Sequence, residues 1–132
     1  MGRYYQGDIE GKFWFGVQSS ADADFFGDEG QAQILNYSFE RDTHFEGIKN
    51  GIEKCRNILG EYEKLLDEFF NSHEAYNKEM LIKYLDEKVH PKKHHDEQGI
   101  GHLLEWYARL RLGMQILECV EEQGSCYFEA EL

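Results

Sequence analysis

Residues that cross-link or interrupt a chain are scarce in this sequence. Its 132 residues include one proline and three cysteines. The odd number of cysteines argues against a disulfide framework, and the apolar surroundings of Cys55, Cys119 and Cys126 predict reduced, buried thiols. Every apolar run is shorter than the roughly 18 residues that span a bilayer, and residues 1–11 do not resemble a signal peptide. We therefore expect a soluble, cytoplasmic protein.

Positive charge is also scarce. The chain has 14 Lys and Arg against 26 Asp and Glu, which gives a formal net charge of −12. A charge of this sign repels phosphate backbones and anionic lipid surfaces, so direct nucleic-acid or membrane binding is not expected. Residues 1–42 carry eight acids against three bases, and residues 118–132 carry five acids and no base. This acidity favours a basic protein partner.

Complete catalytic and cofactor motifs are missing. The sequence contains no GxSxG or HExxH motif, and Gly-Ile-Gly at 99–101 has neither the third glycine nor the preceding strand of a dinucleotide site. We predict no bound cofactor. A non-enzymatic role is favoured over catalysis.

Apolar residues recur at alternating spacings of three and four in two long segments. This period predicts amphipathic helices, each with one apolar stripe. The first stripe comprises Phe45, Ile48, Ile52, Cys55, Leu59, Tyr62, Leu66 and Phe69, and the second Ile100, Leu103, Tyr107, Leu110, Met114 and Leu117. We expect these two helices to pack antiparallel, with a short helix between them.

Helix boundaries are marked by capping residues. Thr43 with Glu46 fits a capping box at the start of the first helix, which is expected to end near residues 71–72, where a short helix is capped. Pro91 ends that short helix, and the third runs from a cap at Asp96 to Gly124. Gly47 and Gly51, four residues apart, predict the close approach of another strand or helix backbone to the first helix, or of a ligand to its start.

Strand-like alternation of apolar and polar residues appears at both ends of the chain. Residues 3–9 and 12–18 indicate a hairpin, residues 34–40 a third strand and residues 125–132 a fourth. With helices between them, these strands predict a single α+β domain over residues 1–132. In it, an antiparallel sheet of about four strands is covered on one face by two long helices and one short helix.

The uncovered face of this sheet is the principal candidate for a binding surface. Aromatic rings on it, beside carboxylates, suit a protein partner or a homodimer contact. The candidate partner-binding residues on the strands are Tyr4, Tyr5, Trp14, Tyr127, Glu129 and Glu131. The alternative interpretation is ordinary cross-strand packing on a solvated face.

An acidic segment at residues 22–29 contributes two further candidates. Asp22, Asp24 and Asp28, with Gly27, imitate the start of a calcium loop, but Phe26 and Gln33 occupy positions where oxygen ligands are required. The segment is then either a loop anchored in the core by Phe25 or Phe26, or an interaction loop that presents Asp22 and Asp24 around an aromatic anchor.

Histidines cluster between residues 90 and 102. Three or four imidazoles that converge can bind zinc, which makes His90, His94, His95 and His102 the candidate ligands of a small metal-dependent enzyme. However, His90 precedes Pro91 and cannot share a regular helix with His94. Polar loop histidines that titrate near neutral pH are the simpler interpretation.

The opening segment Gly-Arg-Tyr-Tyr-Gln-Gly-Asp-Ile-Glu-Gly-Lys-Phe-Trp-Phe-Gly-Val-Gln resembles uncharacterised short proteins from viral and environmental sequences. The resemblance covers about the first thirty residues and brings no activity or site residues. It implies a small viral or microbial accessory protein, of the kind that occupies the basic surface of a partner. The leading hypothesis is thus a non-enzymatic, acidic protein-binding module.

Overall fold

The computed structural model describes residues 3–14, 17–28, 35–73, 77–89 and 94–130. These residues form one α+β unit with a common hydrophobic core. In chain order, the elements are β1 (Tyr4–Gly7), β2 (Gly11–Lys12), a 3₁₀ helix (Asp22–Phe26), β3 (Leu35–Glu40), α1 (Arg41–Leu59), α2 (Tyr62–Ser72), α3 (Lys78–Lys88), α4 (Glu97–Gln123) and β4 (Ser125–Ala130).

The four strands form one antiparallel sheet in the order β2-β1-β4-β3. The C-terminal strand β4 therefore lies between β1 and β3, where it pairs Ala130 with Tyr5 and Phe128 with Tyr37. The predicted combination of three N-terminal strands and one C-terminal strand is confirmed. Without β4, the strands on either side of it would have no shared partner.

Alternation along β4 decides which face of the sheet is covered. Cys126, Phe128 and Ala130 are buried, whereas Tyr127 and Glu129 are exposed. Successive side chains of a strand point to opposite faces, so a strand with one buried face shows this period of two. The buried residues belong to the same core as α1 and α4, which confirms that the helices cover a single face.

The two long helices α1 and α4 pack antiparallel, as predicted. The N–H of Arg41, at the start of α1, donates to the carbonyl of Gly124, after the end of α4, at 2.9 Å. Farther along α1, the Arg56 guanidinium lies 3.9 Å from the Met114 sulfur. Because β3 continues directly into α1 and α4 is followed at once by β4, this helix pair also sets the alignment of β3 with β4.

The segment that was predicted to form the first helix contains two helices, α1 and α2. Gly60 ends α1 at φ 55°, a backbone conformation that favours glycine, and α2 starts two residues later. The prediction of one continuous helix was wrong because Leu66 and Phe69 of α2 are buried in the same core, so the apolar period continues across the break.

Two of the predicted helix ends are confirmed and two are not. Asp96 caps α4 by accepting from the N–H of Gly99 at 2.7 Å, and Gly124 ends it in the left-handed conformation. The Thr43 capping box was wrong, since α1 begins directly after β3 and has Glu40 at its N-cap. Asn77, rather than residues 71–72, caps α3.

The apolar stripe of α4 was only partly correct. Ile100, Tyr107 and Leu110 are buried as expected, whereas Met114 is 43% exposed. The helix also buries Leu112, Ile116 and Cys119 on another side, because it contacts both α1 and the sheet. A helix covered on two sides does not have a single apolar stripe.

None of the helices in the described residues combines the length and the apolar character that a membrane span requires.

All three cysteines are buried and unpaired. Burial raises the pKa of the Cys55 thiol to about 11, so this side chain stays protonated at neutral pH. The prediction that all three cysteines lie in the core is confirmed.

The buried ring of Phe26 fits between α1 and α4 at two glycines. A Cβ added at Gly51 would lie 2.7 Å from the ring, and one added at Gly113 would lie 2.4 Å from it. A Cβ added at Gly47 would lie 3.3 Å from the backbone carbonyl oxygen of Phe26. The close approach predicted from Gly47 and Gly51 is therefore made by the 3₁₀ helix, whose aromatic side chain enters the space that the absent Cβ atoms leave.

Gly113→Ala should destabilise the protein, because its methyl group must displace the Phe26 ring or separate the helices. Overpacking of this kind costs about 1 to 3 kcal/mol. Gly101→Ala in the same helix is the matched control, since a Cβ there meets nothing within 4 Å. We expect this control to be neutral or stabilising because alanine favours helices. Equilibrium denaturation of both variants measures the difference, and equal midpoints would contradict the packing role of Gly113.

Candidate functional site

The open face of the sheet is the candidate site. The residues of β3 and β4 that do not point into the core all reach this face, and they combine amides, hydroxyls, carboxylates and an aromatic ring. Tyr4 and Tyr127 are the large exposed aromatic side chains on it, at 49% and 46% exposure. A groove of about 690 Å³ crosses the strands, and its lining comprises Gln6, Gly7, Glu10, Asn36, Tyr37, Ser38, Tyr127, Phe128 and Glu129.

Tyr127 is held in place by two carboxylates. Its hydroxyl donates to Glu40 at 2.5 Å, and its backbone N–H donates to Asp8 at 2.9 Å. The hydrogen bond to Glu40 raises the pKa of Tyr127, so the phenol remains neutral. A tyrosine fixed at both its main chain and its hydroxyl loses little conformational freedom when a ligand packs against it.

Two carboxylates beside Tyr127 accept their hydrogen bonds from uncharged groups. The hydrogen bonds that Glu40 and Asp8 accept come from neutral donors, which orient a carboxylate without neutralising it. Among the described residues, none of the ion pairs engages Asp8, Glu40 or Glu129. The part of the face around Tyr127 therefore attracts cations.

Two predicted members of this surface lie elsewhere. Tyr5 is only 7% exposed and donates its hydroxyl to Gln115 of α4 at 2.6 Å. Adjacent residues of a strand point to opposite faces, so Tyr4 and Tyr5 cannot share one. Trp14 is half-buried, with its ring 5.5 Å from Phe70 of α2. The second strand was predicted to extend to residue 18, but β2 ends at Lys12, and Trp14 packs toward the helices.

The acidic segment is mainly structural. Asp22 is buried and accepts from the Arg109 guanidinium at 2.7 Å, while Asp24 accepts from the Tyr37 hydroxyl. Phe26 anchors the segment in the core. This geometry matches the interpretation of a core-anchored loop, and it places Asp22 away from the open face. Glu131, the remaining acidic candidate, lies outside the described residues.

The outer edge of β3 is capped within the chain. Its Ser38 N–H donates to Asp28 and its Glu40 N–H donates to the His44 ring, both at 2.9 Å. An edge strand whose outward N–H groups are already bonded is a poor template for an added strand. Recognition through the groove on the face is therefore favoured over addition of a strand at this edge.

The histidine cluster contains a hydrogen-bonded chain around the buried His95. His95 Nδ1 lies 2.6 Å from Asp86, and its Nε2 lies 2.7 Å from the Tyr62 hydroxyl. Burial raises the pKa of Tyr62, so its hydroxyl stays protonated and donates a hydrogen bond to Nε2. Nδ1–H then donates a hydrogen bond to the Asp86 carboxylate. The chain joins α2 to the end of α3 and to the segment before α4.

This arrangement does not bring the candidate metal ligands together. Both nitrogens of His95 are occupied, His94 contacts Asp86 at 3.2 Å, and the His102 ring faces Trp106. Within the described residues, no group of three His, Cys, Asp or Glu side chains is placed to hold a metal ion. His90 lies outside those residues, so the metal hypothesis stays a prediction.

Sequence reasoning missed several residues of the two sites. Asn36, Ser38 and Glu40 share the open face with Tyr127, and the alternation of the third strand could have placed them there. Asp86 and Tyr62 had no comparable signal, because their contacts with His95 depend on how three segments pack.

No known protein family matches the chain, and neither a characterised protein nor a solved structure matches it significantly.

Asp86→Asn should destabilise the protein near neutral pH. Hydrogen bonds from His95 lower the pKa of Asp86 below its ordinary value of 3.8, so its ionised form is stabilised by folding. That stabilisation is complete above pH 3.8 and is lost as the pH falls through the lowered pKa. The gap in unfolding free energy between wild type and variant should therefore narrow on acidification, measured by urea denaturation from pH 7 to pH 3. Glu87→Gln, on the same helix, is the control. A gap that does not change with pH would contradict this role.

Proposed function

We propose that this chain is a protein-binding module that engages a basic segment of a partner through the open face of its sheet. The observation that carries the proposal is the position of Tyr127, an exposed aromatic ring held by Asp8 and Glu40 in a groove flanked by Glu129. An aromatic anchor beside uncompensated carboxylates is suited to a ligand that offers both apolar contact and positive charge.

The shape of the surface favours an extended or loop-like ligand. The groove runs across neighbouring strands, and the sheet forms its floor. It can therefore hold a chain segment but cannot enclose a folded domain. Its polar lining from Gln6, Asn36 and Ser38 supplies donors and acceptors for a ligand backbone. Lys or Arg side chains of the ligand would then reach Glu129 and Glu40.

The charges have a separate role from the aromatic ring. Long-range attraction raises the association rate, and salt screens it within about 8 Å at physiological ionic strength. Packing against Tyr127 instead determines how long the complex persists. A homodimer through the same face would bring its carboxylates together, which makes a basic partner the better fit. The viral or microbial accessory role stays a prediction from the N-terminal resemblance.

Tyr127→Ala should weaken binding of a basic peptide about 5- to 30-fold, chiefly through faster dissociation. This range corresponds to about 1 to 2 kcal/mol for loss of a contact anchor. The probe is a synthetic nine-residue peptide of alternating Arg and Leu, with neutral ends, measured by stopped-flow fluorescence and by anisotropy. Met80→Ala is the control, because Met80 is 39% exposed but lies on α3.

Glu129→Gln should mainly slow association, and raised salt should remove the difference from wild type. Glu87→Gln, also exposed but on α3, makes the same change in net charge outside the surface. If both Glu variants reduce the association rate equally, the attraction is non-specific and the assignment of the open face is wrong. Binding indifferent to both Tyr127→Ala and salt would also overturn it.

A further inference from the structure

A second groove lies between α1 and α4. Two adjoining depressions of about 390 and 410 Å³ share Ile52, Arg56 and Leu117, and they meet at the line where the two helices pack. None of the residues that line the groove of the open sheet face contributes to it. The two surfaces are therefore separate.

The floor of this inter-helix groove is apolar. Ile52 is buried, Leu117 is half-buried and Met114 is 43% exposed. Met114 belongs to the apolar row of α4, yet it is exposed, with the Arg56 guanidinium 3.9 Å from its sulfur. A flexible, polarizable thioether at the surface adapts readily to the side chains of a partner.

The rim is strongly acidic. Five carboxylates border the groove, against two cations, Lys49 and Arg56. The acids are Glu46, Glu53, Glu118, Glu121 and Glu122. Arg56 is already paired with Glu63 at 3.3 Å, and among the described residues no ion pair engages any of the five rim carboxylates.

The position of these acids on α4 is unfavourable to the helix itself. The C-terminal end of a helix carries a partial negative charge and is stabilised by cations. The last turn of α4 contains no basic residue, while Glu118, Glu121 and Glu122 lie within its final six residues. A cationic ligand at this end would supply the charge that the helix lacks, so charge complementarity specifies the sign of the occupant.

We propose that the inter-helix groove binds a basic amphipathic helix from a protein partner. A third helix laid along two packed helices places apolar residues spaced i, i+3, i+4 and i+7 over Ile52, Leu117 and Met114. Its Lys and Arg side chains then meet the rim. From Glu46 to Arg56, α1 offers about 15 Å of groove at 1.5 Å per residue, which matches about three helical turns of the ligand. This binding does not depend on the open sheet face.

The test uses a synthetic 14-residue peptide with Leu at helical spacing, Lys elsewhere and neutral ends. Binding is measured by fluorescence anisotropy, and amide chemical shifts locate the bound peptide. We expect Met114→Ala and the polar variant Met114→Gln to weaken binding five-fold or more, while Met80→Ala leaves it unchanged. Circular dichroism confirms that each variant is folded. A peptide of the same composition with alternating Leu should bind this groove much more weakly.

A second pair of variants separates specific from general charge effects. The double variant Glu118→Gln with Glu121→Gln should weaken binding more than Glu79→Gln with Glu87→Gln, which removes the same charge from α3. Equal losses would show non-specific attraction of a polycation and overturn the proposal. If Tyr127→Ala abolished binding of the peptide and Met114→Ala left its affinity unchanged, the peptide would bind the sheet face instead. If sedimentation showed a dimer that Met114→Ala dissociates, the occupant of the groove would be a second copy of the chain. That result would also refute the proposal.

Discussion

The packing of Phe26 against Gly51 and Gly113 is the contact on which the rest of the structure depends. It places one aromatic ring where α1 and α4 would otherwise meet through Cβ atoms, so it fixes how closely the two helices approach. Each of these helices joins a strand with no more than one residue between them, and Arg41 bonds to Gly124 where the two connections meet. The spacing of the helix pair is thereby transmitted to β3 and β4, which carry most of the open face.

The same packing explains why Asp22 is not part of that face. Insertion of Phe26 draws the 3₁₀ helix onto the helix pair, which brings Asp22 to Arg109 of α4. The Arg109 guanidinium also lies over the Trp106 ring at 4.4 Å, so a half-buried cation lies between an aromatic surface and a buried carboxylate. An unpaired Asp22 at this depth would be costly, and the pair is therefore a consequence of how the aromatic anchor is placed.

Local signals in the sequence identified much of this fold. The alternation in β4 predicted its buried and exposed residues, and Asp96 with Gly124 predicted both ends of α4, because these features depend on neighbours within a few residues. The break at Gly60 escaped notice, since α2 keeps the apolar period of α1. The exposure of Met114 and the burial of Tyr5 also required knowledge of tertiary packing. Met114 depends on which sides of α4 are covered by α1 and the sheet, and Tyr5 depends on which face of β1 meets α4.

The acidic character of the surface could be predicted, but its distribution could not. Composition alone does not distinguish the buried Asp22, which pairs with Arg109, from Asp8, whose donor is a neutral backbone N–H. That distinction depends on the arrangement of cations in space. It separates carboxylates that stabilise the fold from those that remain available to a ligand.

Carboxylates that no ion pair engages among the described residues lie on the open sheet face and on the rim of the inter-helix groove, and their mutual repulsion opposes folding. Cations that bind there relieve the repulsion, so a basic ligand should stabilise the folded state as well as occupy its site. Salt relieves the same repulsion by screening it, yet it also screens the attraction between protein and ligand. Folding stability and affinity for a basic ligand would therefore respond to ionic strength with opposite sign, because no ion pair among the described residues engages these acids.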